Sequence, residues 1–279
     1  MVNFNGTVVA SEEVSLVQNR GFLFGDGVFE TVKIRNGIIL FLEDHYFRLM
    51  AAMRIVRMEI PMNFTMEYFQ EQILLIAANN DCIDSGRARI TVFRNGGGYY
   101  LPTQNTIGFT ITAISLKTKD YSLETSSYEV DLYKDFYVSK QLLSTLKTTN
   151  KMIHITGSIF AQENDFQNCL LVNDEKNIVE ALQGNIFMLF ENKLITPPII
   201  DGCLNGIMRK KIIALGKTIE SIEVLEQSIS PFDLQKSDEL FITNVIAGIQ
   251  PITKYRKKEY RYDLAKVLVA KLNESVQNN

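Results

Sequence analysis

The most informative segment of the chain is Leu143-Ser144-Thr145-Leu146-Lys147-Thr148-Thr149-Asn150. It combines one lysine with small hydroxyl residues, and it lies directly before residues 151–163, which have helical spacing. Helix starts present unpaired N–H groups and favour anions, and a lysine that is buried there can become a nucleophile. On this pattern alone, Lys147 is either a functional amine or an exposed lysine on a polar loop.

Three further segments could bind a charged group. Arg48 lies on a predicted amphipathic helix, where it would either clamp a phosphate or pair with Glu43 or Asp44. Glu180 lies between two apolar stretches, and it either faces a cationic nitrogen or is exposed at a turn. Gly206 opens a helix, so it either lets a phosphate approach the backbone or simply makes the turn.

The hydrophobic patterns predict an α+β protein with two domains, a smaller one at residues 1–118 and a larger one at residues 119–279. Thr65 is a suitable N-cap for the second helix, and Asn36-Gly37 predicts a hairpin. The predicted elements are strands 7–9, 29–34 and 38–41, helices 43–57 and 65–78, strands 87–94, 106–114 and 128–137, helix 151–163, strands 169–172, 185–190 and 194–196, helix 206–217, strand 239–243 and helix 260–275.

Composition excludes several classes of protein. A net charge of -3 does not suggest a nucleic-acid partner, and no apolar run is long enough to cross a membrane. The three cysteines are scattered and odd in number, which favours a reducing cytoplasm over a disulfide framework or a zinc site. Two histidines are too few for a histidine-rich metal site, so no metal is expected.

Six motifs occur in a fixed order along the chain. They are Arg20-Gly21-Phe22 with Gly25-Asp26-Gly27-Val28-Phe29-Glu30, then Glu43-Asp44-His45-Tyr46-Phe47-Arg48-Leu49, Lys147-Thr148-Thr149-Asn150, Glu180 with Asn185-Ile186-Phe187, Leu204-Asn205-Gly206-Ile207-Met208-Arg209, and Asp238-Glu239-Leu240-Phe241 through Pro251. Together they resemble the class IV aminotransferase family, the pyridoxal-phosphate (PLP) enzymes of fold type IV. The resemblance implies a fold like that of D-amino-acid aminotransferase, with PLP between two domains. It also implies a homodimer that acts on a small amino substrate.

The resemblance implies a role for each matching residue. Lys147 would hold PLP as an imine and carry the reacting proton, while Arg48 would clamp the phosphate. Glu180 would face the pyridine nitrogen, and Leu204 would pack on one face of the ring. Retention of Lys147, Glu180 and Arg48 favours an enzyme over a PLP-binding protein without turnover or a dimeric scaffold.

Backbone N–H groups are expected to complete the phosphate site, from Ile207 and Met208 and from around Asn244 and Val245. Met208 stands where the family usually has threonine, and Val245 also lacks the hydroxyl of many relatives. The backbone donors remain, so PLP binding is expected to survive the loss of one side-chain hydrogen bond, at a cost of about 1 kcal/mol.

The sequence favours one reaction over two others. A D-amino-acid aminotransferase would have tyrosine at Phe29 and an Arg-x-His trap in the loop of residues 94–102, and both are missing. Branched-chain aminotransferases often have Tyr-x-Arg where this chain has Arg87-Ala88-Arg89. The run Thr243-Asn244-Val245 is more similar to aminodeoxychorismate lyase, which forms 4-aminobenzoate and pyruvate in folate synthesis.

The lyase is therefore the expected activity, and a branched-chain aminotransferase with a 2-oxo acid acceptor is the alternative. Phe29, Arg89 and Tyr99 are the expected substrate contacts. Residues 98–102 are expected to act on the site of a partner subunit.

Overall fold

The computed structural model describes residues 1–277, which divide into two compact units. The first unit contains residues 1–120 and 147–150, and the second contains residues 121–146 and the described chain from residue 151 onward. The boundary thus lies two residues after the predicted position. Lys147 was expected in the larger C-terminal domain, but it belongs to the first unit, because main-chain hydrogen bonds join residues 147 and 149 to residues 27 and 29.

The first unit is built on one six-stranded antiparallel sheet with strand order β2-β1-β6-β5-β3-β4. Its elements are β1 Val2–Phe4, β2 Thr7–Val9, α1 Arg20–Phe24, β3 Gly27–Arg35, β4 Ile38–Ile39, α2 Leu42–Ile55, α3 Met66–Asn79, β5 Ser85–Arg94 and β6 Ile107–Ser115. Strand β3 is buried along almost its whole length, including the charged residues Glu30 and Lys33. Thr65 caps α3 as predicted, with its hydroxyl accepting from the Tyr68 N–H.

The second unit contains two five-stranded sheets, ordered β12-β11-β10-β13-β14 and β16-β15-β7-β8-β9. Its elements are β7 Glu129–Val138, α4 Met152–Glu163, β8 Asn168–Asn173, β9 Ile178–Ala181, β10 Asn185–Phe190, β11 Lys193–Thr196, α5 Ile207–Gly216, β12 Glu223–Glu226, β13 Glu239–Asn244, β14 Gly248–Ile252, β15 Lys254–Tyr255, β16 Lys258–Glu259 and α6 Asp263–Gln277. The two sheets share one apolar core, in which Leu170 and Ile178 of one sheet pack with Ile186 and Leu240 of the other. The predicted α+β class is confirmed.

Short 3-10 turns connect several of these elements. They are Ser11–Glu13, Leu142–Thr145, Ile199–Asp201 and Asp233–Gln235. No helix within residues 1–277 is both long and apolar enough to cross a membrane. Over the same residues, no cluster of three histidine, cysteine or acidic side chains is arranged to hold a metal ion.

Candidate active site

Lys147 is held against β3 by main-chain hydrogen bonds. The Phe29 N–H donates to the Lys147 carbonyl at 2.8 Å, and the Thr149 N–H donates to the Gly27 carbonyl at 2.9 Å. The lysine side chain is half-buried, and its Nζ lies 4.4 Å from the centre of the Phe29 ring. The amine therefore extends from a backbone that is fixed on both sides.

The motif around Lys147 packs on the Gly-Asp-Gly turn that precedes β3. The Thr149 hydroxyl and the Asn150 amide donate to the Gly25 carbonyl at 2.8 and 3.1 Å. Gly25 has a φ of +64°, and a Cβ at this position would lie 2.5 Å from Oδ1 of Asn150. A residue with a side chain therefore does not fit there, and two motifs that are far apart in sequence form one piece of structure.

Arg89 lies on the same aromatic ring as Lys147. Its Cζ is 3.8 Å from the centre of the Phe29 ring, and its Nε donates to the Thr91 hydroxyl at 3.1 Å. Burial lowers the pKa of Arg89, and the nearby charge of Arg87 lowers it further. Within residues 1–277, no carboxylate pairs with this guanidinium. A half-buried cation without an acidic partner is suited to bind an anionic group.

Tyr99, the third expected substrate contact, lies in the loop that follows β5, where its side chain is 85% exposed. The main chain of this loop is fixed, because the Arg20 guanidinium donates to the carbonyls of Gly97 and Tyr99 at 2.9 and 2.8 Å. The structure thus brings Phe29 and Arg89 together and leaves the Tyr99 side chain at the surface of its unit.

Arg48 forms a two-pronged ion pair with Glu30. The guanidinium Nε and Nη2 each lie 2.7 Å from a different oxygen of the carboxylate, and Nδ1 of His45 lies 2.7 Å from one of them. Glu30 is an ion-pair partner of Arg48 that the sequence did not suggest. It comes from β3, against which α2 packs.

The charge of Glu30 is stabilised by these two partners. Burial alone would raise the pKa of Glu30, but the positive charge of Arg48 and the hydrogen bond with His45 lower it to about 2. Burial also lowers the pKa of His45, which favours the neutral imidazole. An ionised carboxylate can only accept, so Nδ1 of His45 is the donor.

Glu180 is the buried carboxylate of the second unit. It lies on β9, is 5% exposed, and accepts from the Leu204 N–H at 2.8 Å. Nε2 of His154, on α4, lies 3.0 Å from its other oxygen. Burial would raise the pKa of Glu180, but the hydrogen bond of His154, the charge of Lys151 and the Leu204 N–H together lower it.

His154 is a site residue that the sequence did not identify. It is separated from Glu180 by 26 positions, and none of the six motifs contains it. The available signal was its position on the helix that directly follows the Lys147 segment. Contacts of this kind depend on how α4 packs in the second unit, which a pattern along the chain does not reveal.

The start of α5 presents main-chain N–H donors. Gly206 is the N-cap and has no side chain that could accept from the first turn, and this turn contains no acidic residue. A Cβ on Gly206 would lie 1.9 Å from Oδ1 of Asn185, whose amide donates to the Leu204 carbonyl at 2.8 Å. The N–H groups of the first turn and the helix dipole make this position favourable for an anion.

Met208 and Ile207 contribute main-chain groups to this helix start, since their side chains are each 1% exposed and belong to the core. The Met208 side chain thus replaces a hydroxyl with buried apolar volume. Arg209 is also buried, and it donates to the Pro197 carbonyl at 2.7 Å and to Glu226 at 2.6 Å.

Asn244 organises the turn between β13 and β14. Its side-chain oxygen accepts from the N–H groups of Ile246 and Ala247 at 3.0 and 2.9 Å, and the Val245 carbonyl accepts from the Tyr121 hydroxyl at 2.9 Å. These bonds fix the conformation of the turn. Two of its N–H groups are thereby satisfied within the chain.

Comparison with known proteins identifies the family. A sequence profile of the class IV aminotransferases matches residues 27–255. A protein of Methanocaldococcus jannaschii assigned as a branched-chain-amino-acid aminotransferase is 29% identical over 252 residues, which cover 90% of this chain and 86% of that protein. The D-alanine aminotransferase of Bacillus licheniformis is 25% identical over 264 residues, which cover 90% of this chain and 87% of the relative.

Solved structures agree with the fold. The branched-chain aminotransferase of Thermoproteus uzoniensis superposes with a TM-score of 0.85 at 22% identity, and covers 97% of this chain and 92% of its own. A Legionella pneumophila protein assigned as 4-amino-4-deoxychorismate lyase superposes with a TM-score of 0.79 at 22% identity, and covers 92% of this chain and 94% of its own. The predicted fold type IV is therefore confirmed. The chain belongs to the class IV aminotransferases, a family of enzymes that use PLP.

Proposed function

We propose that this enzyme uses Lys147 to move a proton at the amine-bearing carbon of its substrate, and that the substrate is an anionic amine such as aminodeoxychorismate. The observation on which the proposal rests is the pair of cationic groups on one aromatic ring, Nζ of Lys147 at 4.4 Å and the Arg89 guanidinium at 3.8 Å from the centre of Phe29. This arrangement provides an amine to take the proton and a guanidinium to hold a carboxylate.

The residues of each unit fit the charges of PLP. The helix start at Gly206 can accept a phosphate, and the glycine is required there because a Cβ would collide with Asn185. Glu180 is buried and its lowered pKa keeps it ionised, as a protonated ring nitrogen would require. When bound, PLP supplies an electron sink for the charge that deprotonation leaves on the substrate carbon.

The cofactor-binding roles follow from these properties. We assign the phosphate to Arg48, to the N–H groups of Ile207 and Met208, and to the turn at Asn244 and Val245. Glu30 orients the Arg48 guanidinium, which donates two hydrogen bonds to the Glu30 carboxylate.

The ring-binding roles belong to the second unit. We assign the pyridine nitrogen to Glu180 and one face of the ring to Leu204. The main chain of Leu204 is fixed on both sides, because its N–H donates to Glu180 and its carbonyl accepts from Asn185. A side chain on such a constrained backbone can offer a stable packing surface.

Lys147 has two tasks in this proposal. It would hold PLP through Nζ, and with substrate bound the same Nζ would remove the proton from the amine-bearing carbon. In the lyase reaction, loss of this proton and cleavage of the bond from the ring to the enolpyruvyl oxygen aromatise the ring. A proton added to the enol carbon then completes pyruvate.

The alternative is transfer of the amine to a 2-oxo acid, as in a branched-chain aminotransferase. D-alanine aminotransferases are similar to this chain over most of its length. The chain, however, has Phe29 where we expect a tyrosine for that activity, and it lacks the expected Arg-x-His trap. Arg89 suits the carboxylate of either remaining substrate class, so a direct assay must separate the lyase from the aminotransferase.

The cofactor assignment is tested by absorbance. We expect the purified protein to be yellow with PLP and Lys147→Ala to lose the visible band, whereas Lys117→Ala, at an exposed lysine, should keep it. A wild-type protein that stays colourless after PLP is added would refute the proposal.

The reaction is tested with two sets of substrates. Incubation with aminodeoxychorismate should release fluorescent 4-aminobenzoate, and Arg89→Leu should raise KM more than it lowers kcat, because Arg89 is expected to hold a substrate carboxylate in both ground and transition states. A panel of L- and D-amino acids with 2-oxoglutarate serves as the comparison. Glutamate formation without 4-aminobenzoate would make the aminotransferase the correct assignment.

We also propose a homodimer in a reducing compartment such as the cytoplasm. An apolar stripe on α4 supports the dimer, since Met152, Ile155 and Ile159 are 69%, 53% and 50% exposed. Three unpaired, buried cysteines, Cys82, Cys169 and Cys203, support the compartment. The loop at residues 98–102 is assigned to the partner's site, which subunit mixing of Tyr99 and Lys147 variants would test by complementation.

A further inference from the structure

The contact between His154 and Glu180 lies entirely within the second unit. The Nε2 atom of His154 is 3.0 Å from Oε1 of Glu180, and the Leu204 N–H donates to Oε2 at 2.8 Å. Each carboxylate oxygen thus has one donor from the chain. Two donors on different oxygens fix both the position and the plane of the carboxylate.

The hydrogen bonds indicate which tautomer His154 adopts. An ionised carboxylate only accepts, so Nε2 must donate. The other ring nitrogen, Nδ1, is buried and has no hydrogen-bond partner in residues 1–277. A proton on Nδ1 would leave a buried N–H without an acceptor, which is unfavourable, whereas an unprotonated nitrogen avoids this. The neutral imidazole with its proton on Nε2 therefore fits the site.

A neutral donor preserves the charge of the carboxylate. A protonated His154 would cancel the negative charge of Glu180, whereas the neutral form gives the pair a net charge of one negative unit. The other titratable groups near Glu180 are Lys151, the N-cap of α4, and the thiol of Cys203, and burial raises the pKa of Cys203 to about 12. Glu180 therefore keeps a full charge available for a cationic group.

We propose that His154 is a positioning residue for PLP chemistry, which holds Glu180 in the orientation and charge state needed to pair with the protonated ring nitrogen. This inference rests on the proposed function, because it assigns Glu180 to that nitrogen. His154 acts through Glu180 and touches neither the substrate nor the reacting atoms.

The tautomer is tested without cofactor. The chain has two histidines, so histidine labelled with ¹⁵N gives two imidazole spin systems, and His154→Gln assigns them. At pH 7 we expect His154 to be neutral with the proton on Nε2, and His45 to carry its proton on Nδ1. A doubly protonated His154, or a proton on Nδ1, would overturn the inference.

The role is tested through PLP affinity, measured by fluorescence titration of the apoprotein. His154→Leu removes the donor, and we expect it to weaken PLP binding about ten-fold or more, the usual effect of losing a hydrogen bond to a charged group. The weakening should grow as the pH falls, because burial raises the pKa of Glu180 and the His154 hydrogen bond, one of the interactions that lower it, is then missing. His154→Gln keeps an N–H donor and should recover most of the affinity.

A double-mutant cycle separates positioning from general structure. In a Glu180→Gln background, His154→Leu should change PLP affinity by less than about two-fold, because the charge through which His154 acts is gone. An equal loss in both backgrounds, or an unchanged affinity in His154→Leu alone, would overturn the inference. Thermal unfolding of each apoprotein checks that the variants fold.

These results distinguish the two proposals. A wild-type protein that binds PLP through Lys147 while His154→Leu binds it equally well would refute the role of His154 and leave the proposed function standing. A wild-type protein that does not bind PLP would refute both.

Discussion

Both histidines of the chain pair with a buried glutamate, one in each unit. His45 donates from Nδ1 to Glu30, and His154 donates from Nε2 to Glu180. A neutral imidazole gives a carboxylate a hydrogen bond without cancelling its charge. In one unit that charge orients an arginine, and in the other we propose that it faces the cofactor ring.

Glu30 gives a prediction about stability and pH. Its pKa of about 2 lies below the ordinary value, so its ionisation stabilises the folded state above about pH 4.5, and this contribution is lost as the pH falls toward 2. The lowered pKa of His45 acts in the same direction, because the unfolded state takes up the proton first. Glu30→Gln should therefore lower the free energy of unfolding at pH 7 by on the order of 3 kcal/mol.

Urea unfolding of both proteins at pH 7, 5 and 3 measures this effect. The difference between wild type and Glu30→Gln should shrink to less than about half by pH 3, because Glu30 is then protonated in the unfolded state and must release this proton on folding. Glu43→Gln, at an exposed position on α2, the helix that contains Arg48, is the control and should change little at any pH. A difference that is constant with pH would contradict the assignment.

At the scale of elements, helix α4 has an apolar face that the described chain leaves exposed. Met152, Ile155 and Ile159 follow helical spacing and are all exposed. If a second copy covers this face, Ile155→Glu with Ile159→Glu should shift the protein from dimer to monomer in analytical ultracentrifugation. Val267→Glu, at an exposed apolar position on α6, should not. A monomeric wild type, or a double variant that stays dimeric, would refute this interface.

Helices and strands with a clear hydrophobic period could be predicted from the sequence, whereas very short strands could not. Helix α3 with its Thr65 cap and strand β10 lie at or within a residue of the predicted limits, because each has an apolar face of full length. Helix α2 was predicted to reach residue 57 but ends at Ile55, because Arg57 adopts a φ of +60°. Strand β9 is four residues long, and a run that short shows no alternation.

The contacts of the candidate site were harder to predict than its residues. The motifs singled out Arg48, Glu180 and Lys147, but they did not indicate Glu30 as the partner of Arg48 or His154 as the partner of Glu180. Each of these contacts joins a helix to a strand that is distant in sequence. Such a contact follows from packing, which local periodicity does not encode.

At the scale of the whole molecule, the first unit depends on a segment from the middle of the chain. Residues 147–149 pair with residues 27–29 through two main-chain hydrogen bonds. A fragment of residues 1–120 should therefore be less stable than the same fragment with residues 145–150 tethered to its end by a flexible linker. We expect a difference of roughly 2 kcal/mol, about 1 kcal/mol for each bond.

Denaturation followed by circular dichroism measures both fragments. Thr149→Pro in the tethered segment is a sharp control, because proline lacks the N–H that donates to Gly27 and should remove about half of the gain. Equal stability of the two fragments would show that the segment does not complete the unit.

The position of Lys147 has a consequence for biosynthesis. The ribosome makes the chain from its N-terminus, so the first unit is complete only when residues 147–150 emerge. Until then, residues 27–29 of β3 lack their partners in that segment. Those four residues arrive only after β7 of the second unit has been made. A chain that terminates before residue 147 therefore lacks both the reactive amine and the segment that bonds to β3. Its first unit is less stable for want of that segment, so quality control can remove the product. Premature termination is thus less able to leave a folded but inactive enzyme.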